Sequence, residues 1–290
     1  MKETIDILQF FGVNKPLFVM SGLACDNTKR FVGREELLKY FIITIQMRQN
    51  CAIVGEPGSG KTSFLLKLRE MMKDSIYNDY LQFSFPVDEV DKSKLHFLRK
   101  ILRSLLYLIA NNKQLLEQFI DELDKIGRYP LEFPGWDKEV TKILDLSRDI
   151  MLSNKLILVL SLQNELYEHL CKARDGESET SGAAALGLIH AFKKLEGFNL
   201  DFAVSAVNAS LKYAGYKGEI GDLFEKGTIG IVLAIVKGNP RLFMYHLLEL
   251  CKKAYLENRK QITLDMLRDY LIEIHKIDLP QWNKLVKDQG

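Results

Sequence analysis

The chain has 290 residues, 47% of them hydrophobic, with 40 Lys and Arg against 38 Asp and Glu and a formal charge of +2. That length and apolar content predict a globular chain that buries a substantial core, as one large domain or two unequal ones. The balance of charge gives no reason to expect wholesale binding to nucleic acid or to an anionic membrane, so any basic surface has to be local.

Residues 1–30 read as an N-terminal arm or linker. They hold a short apolar helix candidate over Ile5–Phe11, then Pro16 and a polar stretch through Asn27-Thr28-Lys29-Arg30. Phe31-Val32-Gly33-Arg34-Glu35-Glu36 leads into a helix carrying Leu37, Leu38, Phe41 and Ile42, and Cys51–Val54 is a short strand that feeds straight into Gly55. After the glycine loop, Phe64, Leu65, Leu68 and Met72 recur at helical spacing, as expected of a helix packed on a sheet. A second strand is expected over Leu81–Phe85. Residues 91–123 read as largely helical, Tyr129-Pro130 and Phe133-Pro134-Gly135 break the pattern, and a further helix runs to Asn154.

Leu156–Leu160 is a continuous apolar run of strand length, typical of a strand covered on both faces and expected at the centre of a sheet. Asp175–Gly182 is an acidic loop, Ala183–Leu195 a predicted helix, and Leu200–Val207 a predicted strand. From about Gly221 the pattern turns helical. Asn239-Pro240 opens one helix in the favoured cap-then-proline order, with Phe243, Leu247, Leu250 and Ala254 along a face, and Thr263 opens another with Leu264, Leu267, Leu271 and Ile274. The predicted fold is therefore α/β: a P-loop three-layer αβα sandwich with a parallel sheet over residues 31–215, followed by a small all-helical lid domain over 216–290.

The sharpest chemical signal is Gly55-Glu56-Pro57-Gly58-Ser59-Gly60-Lys61-Thr62, with Ser63 following, which satisfies G-x-x-x-x-G-K-[ST] between a strand and a helix. Glycines let backbone N–H groups turn inward onto phosphate oxygens, and the helix N-terminus adds partial positive charge. Lys61 is expected at the β and γ phosphates and the Thr62 hydroxyl on Mg2+, so ATP and ADP are the expected ligands. An ordinary glycine turn before a helix is the bland alternative, which the strand-loop-helix context disfavours.

Four separated segments make the sequence resemble the AAA+ ATPases, in particular archaeal initiator (origin-recognition-like) proteins and archaeal STAND-type ATPases. Phe31-Val32-Gly33-Arg34-Glu35 looks like the box before the P-loop, which implies that Phe31 and Val32 hold the adenine. The P-loop follows at the family's usual distance. Leu200–Leu211 looks like the sensor 1 strand, which implies that Asn208 inspects the γ phosphate. Gly238-Asn239-Pro240-Arg241 looks like sensor 2, which implies that Arg241 reaches the phosphates from the lid.

The same resemblance marks two departures. An apolar strand ending in Asp-Glu is expected, yet Leu156–Leu160 runs into Ser161-Leu162-Gln163-Asn164-Glu165. In this degenerate Walker B, Ser161 could touch the ion through water and Glu165 could substitute as the base. Loss of a well-placed base is worth about 10² to 10⁴ in rate, so binding with slow hydrolysis is expected. No arginine occurs from Asp175 to Pro240, where an arginine finger would stand, and Lys212, Lys217 or Lys226 lacks the bidentate fork. A protein partner or a homo-oligomer is implied by the resemblance. An inactive pseudo-ATPase serving as an interaction module is the alternative.

Other signals are weaker. His96, His169, His190, His246 and His275 show no metal-ligand spacing along the sequence and read as helix-face or core residues. The basic stretch Lys252-Lys253 with Arg259-Lys260 could touch DNA, although helix surfaces commonly carry such charges. Cys25, Cys51, Cys171 and Cys251 form no close pair, there is no apolar run of about 18 residues, and the N-terminus mixes charges. The sequence thus reads as cytoplasmic, with no membrane partner.

Overall fold

The computed structural model describes residues 6–18, 29–73, 157, 159–164, 167–168, 171 and 189–289. The strand expected over Leu81–Phe85, the helices expected over 91–123 and up to Asn154, and the acidic loop Asp175–Gly182 lie outside these residues. The chain divides into two compact units. The first comprises residues 1–41, 53–70 and 193–290, and the second residues 42–52 and 71–192.

The sheet belongs chiefly to the second unit. β1 (Asn50–Val54), β2 (Val159–Leu162) and β3 (Ile189–Lys194) form a parallel three-stranded sheet in the order β2-β1-β3. All five residues of β1 are buried, so this strand, rather than the run at 156–160, is the middle one among the described strands. Val159 and Leu160 are only half-buried. A second correction concerns the helix expected over Ala183–Leu195, because residues 189–194 are β3. Ile189 and Ala191 are buried and His190 between them is exposed, the period of two that a half-buried strand requires. α2 (Glu35–Gln46) precedes β1 and carries Glu35 and Glu36 in its first turn, where the helix dipole favours acidic groups. α3 (Lys61–Lys73) follows the glycine loop and buries Phe64, Leu68 and Met72.

The first unit holds the helical part. α1 (Ile7–Phe11) is followed by a segment that buries Val13, Leu17 and Phe18. α4 (Leu200–Ala214), α5 (Ile220–Leu223), α6 (Thr228–Ile235), α7 (Pro240–Leu256), α8 (Leu264–His275) and α9 (Leu279–Gln289) complete it. Their shared core is built from residues such as Phe11, Phe18, Val207, Ile231, Phe243, Leu247, Leu250 and Leu267. α7 and α8 begin where the sequence places them. Asn239 caps α7 with Pro240 in its first turn, and the Thr263 hydroxyl accepts from the Met266 amide to cap α8.

α4 is the third correction, since Leu200–Val207 is helix and not strand. The alternation that suggests a strand comes from Leu200 and Phe202, both exposed, whereas the buried residues Ala203, Ala206, Val207, Ser210, Leu211 and Ala214 recur at helical spacing. Asn199 caps the helix by accepting from the Phe202 amide, and Gly215 closes it in the left-handed region. A parallel sheet with helices around it, followed by a helical part, is the fold class expected.

Candidate functional site

The glycine loop, its neighbours before α2 and the start of α7 all lie in the first unit. Gly58 (φ +84°) and Gly60 (φ +93°) adopt the left-handed backbone that L residues rarely visit. A Cβ on Gly58 would lie 2.6 Å from Asn239 Oδ1, and one on Gly60 3.1 Å from Arg34 Nη1. Gly55 has no room either, with Ser59 Oγ 2.7 Å and the Leu195 carbonyl 3.1 Å from the position its Cβ would take. The Ser59 hydroxyl is buried and has no hydrogen-bond partner among the described residues. Just beyond, the first-turn amides of α3 have no carbonyl of their own helix to bond, and they stand at the end where the dipole is positive.

Three groups outside the loop hold it. The Asn239 side chain acts at both ends: Oδ1 accepts from the Arg241 and Leu242 amides to cap α7, and Nδ2 donates to the Pro57 carbonyl at 2.9 Å. The Arg241 amide also donates to the Gly58 carbonyl at 3.3 Å. Arg34 donates through Nη1 to the Ser59 carbonyl at 3.0 Å and through Nη2 to the Glu196 carbonyl at 2.9 Å. Burial pulls the Arg34 guanidinium down to about 10, so it remains a cation at neutral pH. The contacts at Pro57, Gly58 and Ser59 each take up a loop carbonyl, and within the loop the Ser59 amide donates to the Glu56 carbonyl at 3.1 Å.

Lys61 lies across the loop, donating to the Gly55 carbonyl at 2.7 Å and the Glu56 carbonyl at 2.9 Å. Burial lowers its pKa, the charge of Arg241 lowers it further, and Glu56 opposes both. Two cations therefore face the same region, which an anion would relieve. Thr62 is exposed in the first turn of α3 and Ser63 beside it is half-buried. Phe31 and Val32 are half-buried, and the Phe31 ring packs 6.3 Å from that of Phe64, itself 5.1 Å from Phe41.

The other expected site residues fall elsewhere. Asn208 is exposed on α4 and lines a groove with Leu211, Lys212, Tyr216 and Glu219 that contains no residue of the glycine loop. Its expected role presupposes a strand that is a helix. Ser161 is an exposed residue of β2, and Glu165 lies outside the described residues. Arg34 and Asn239 are the residues sequence reasoning left without a role at the loop. Both stand in segments that it singled out, but a guanidinium reaching Ser59 and an amide reaching Pro57 are tertiary contacts that no local pattern encodes.

No protein-family profile matches the sequence, and no curated protein does. Solved structures do. ORC2 of Aeropyrum pernix, solved in ADPNP and ADP complexes, is 14% identical with a TM-score of 0.55, the match covering 83% of this chain and 66% of that one. Hsp104 of S. cerevisiae, in complex with casein, is 14% identical with a TM-score of 0.50, covering 87% of this chain and 44% of that one. The chain thus spans less than two thirds of either. Both relatives are AAA+ ATPases, and at this identity the likeness establishes an AAA+ type of fold.

Proposed function

We propose that the protein binds ATP with Mg2+ at Gly55–Thr62 and works as a nucleotide-gated switch with slow hydrolysis. The observation that carries this reading is the loop itself: glycines at positive φ, a buried Ser59 hydroxyl with no partner among the described residues, and the start of α3 at Lys61. Such a surface favours a polyanion because donors converge on it in a fixed geometry. A triphosphate would draw the Lys61 amine off the Gly55 and Glu56 carbonyls, and Arg241 supplies a second cation from α7. Phe31 and Val32 would lie against the base. The Thr62 hydroxyl would ligate magnesium, which supplies charge neutralisation at the phosphates.

Slow turnover follows from the sequence after Leu160, where Ser161 and Leu162 replace the acidic pair that polarises water. Glu165 is the first carboxylate in the sequence that follows and would stand in as the base. This same feature favours a second reading, an interaction module that uses nucleotide structurally. Phosphate release measured across a protein concentration series, with and without DNA, separates the two. Turnover that DNA stimulates and Glu165→Gln removes rules out the module. Tight Mg-ATP binding with no phosphate release rules out the enzyme. A homo-oligomer, a protein or DNA would read the switch through α7 and the helices packed on it.

A further inference from the structure

We propose a second ligand site, a divalent transition-metal site formed by His246 of α7 and His275 of α8, independent of the nucleotide loop. The two Nε2 atoms lie 3.3 Å apart, and the ring centroids 4.9 Å apart. An ion held by two imidazoles at tetrahedral zinc distances puts their nitrogens about 3.3 Å and their ring centres about 5.2 Å apart. A linear hydrogen bond of the same length, ring pointing at ring, would instead put the centres about 5.6 Å apart. The observed 4.9 Å is shorter than both, so the rings tilt off the line between their nitrogens, with the two Nε2 atoms within reach of one ion as well as of each other.

The remaining ring nitrogen of His246 is fixed as metal chemistry requires. Nδ1 lies 2.8 Å from the Tyr270 hydroxyl. With Nδ1–H donated to that oxygen, Nε2 presents its lone pair, the arrangement by which an outer partner sets the tautomer of a metal-bound imidazole. His246 is buried and its orientation is set by packing, whereas His275 is exposed at the end of α8, so an ion can enter from solvent. Among the described residues no third His, Cys, Asp or Glu completes a cluster. Glu249 and Glu273 are paired with Lys252 and Lys253. The ion thus keeps water at its other positions, and the ligand class is a nitrogen-preferring ion such as Zn2+ or Cu2+, not Mg2+ or Ca2+. Bound there, it ties α7 to α8.

The test is calorimetric titration of the untagged protein with zinc chloride, paired with electron spin-echo spectroscopy of the copper-loaded protein. The wild type is expected to bind one ion per chain, and copper to show coupling to imidazole nitrogen. His275→Ala, at an exposed position that leaves folding intact, is expected to weaken binding at least tenfold. Tyr270→Phe keeps both ligands and is expected to weaken it about tenfold through the lost outer partner. Lys61→Ala is expected to bind zinc as the wild type does, so failure of the nucleotide reading is read separately. No saturable zinc binding by the wild type, or unchanged binding in His275→Ala, overturns the proposal.

Discussion

Gly58 has no room for a side chain. Its backbone is left-handed and the space its Cβ would need is taken by Asn239 and Arg241. Gly58→Ala is expected to lower stability by about 1 to 3 kcal/mol, combining backbone strain with displacement of the α7 start, and to weaken Mg-ATP binding. Denaturant unfolding and nucleotide titration of the same variant check both. Cys51 provides a quieter test. Burial in β1 pushes its thiol up to about 12, so at pH 8 about one part in ten thousand is thiolate. Iodoacetamide labelling followed by mass spectrometry is expected to leave Cys51 unmodified in the native protein and to modify it once unfolded. At this scale the place of the loop between a strand and a helix was legible, because glycines at fixed spacing suit the left-handed backbone seen at Gly58 and Gly60. Arg34 and Asn239 were not, since what they grip is distant in sequence.

The start of α7 joins the loop to the helical part through one side chain with two functions, and substitutions can separate them. Asn239→Asp keeps an oxygen to cap α7 but loses the Nδ2 donor to Pro57 and sets a negative charge beside the loop. It is expected to change stability by less than about 1 kcal/mol while weakening Mg-ATP several-fold or more. Asn239→Ala loses the cap as well and is expected to be less stable than Asn239→Asp by about 1 kcal/mol. Equal nucleotide affinity in wild type and Asn239→Asp would show that the Pro57 contact plays no part in binding. Legibility among the elements followed the quality of their ends. α7 and α8 carry cap residues and a wide apolar face, and both were read from sequence. α4 has an asparagine cap and a terminal glycine too, but its small buried residues were outweighed by the larger exposed Leu200 and Phe202. β3 was hidden because a six-residue strand with two terminal lysines presents little of the alternation that identifies one.

Over the whole molecule, the helical core and the glycine loop lie in the same compact unit, so ligand binding is expected to stabilise that unit. Mg-ATP at about a hundred times its dissociation constant should add about 2.7 kcal/mol and raise the melting temperature by about 5 °C. Phe243→Ala, deleting a ring that is fully buried in α7, is expected to cost about 3 to 5 kcal/mol and to lower the melting temperature by more than nucleotide restores. Among the described residues no helix is long and apolar enough to cross a membrane. The general class of fold was legible in the alternation of strands and helices around a P-loop, whereas the strand order depends on pairing that no single segment records. Calorimetric titration of Mg-ATP into wild type and Lys61→Ala tests the central claim most directly. Saturable one-to-one binding by the wild type, weakened about a hundredfold in the variant through loss of its charge-assisted phosphate contacts, is the expected result. Equal affinity in the two proteins, or no binding by either, would contradict it.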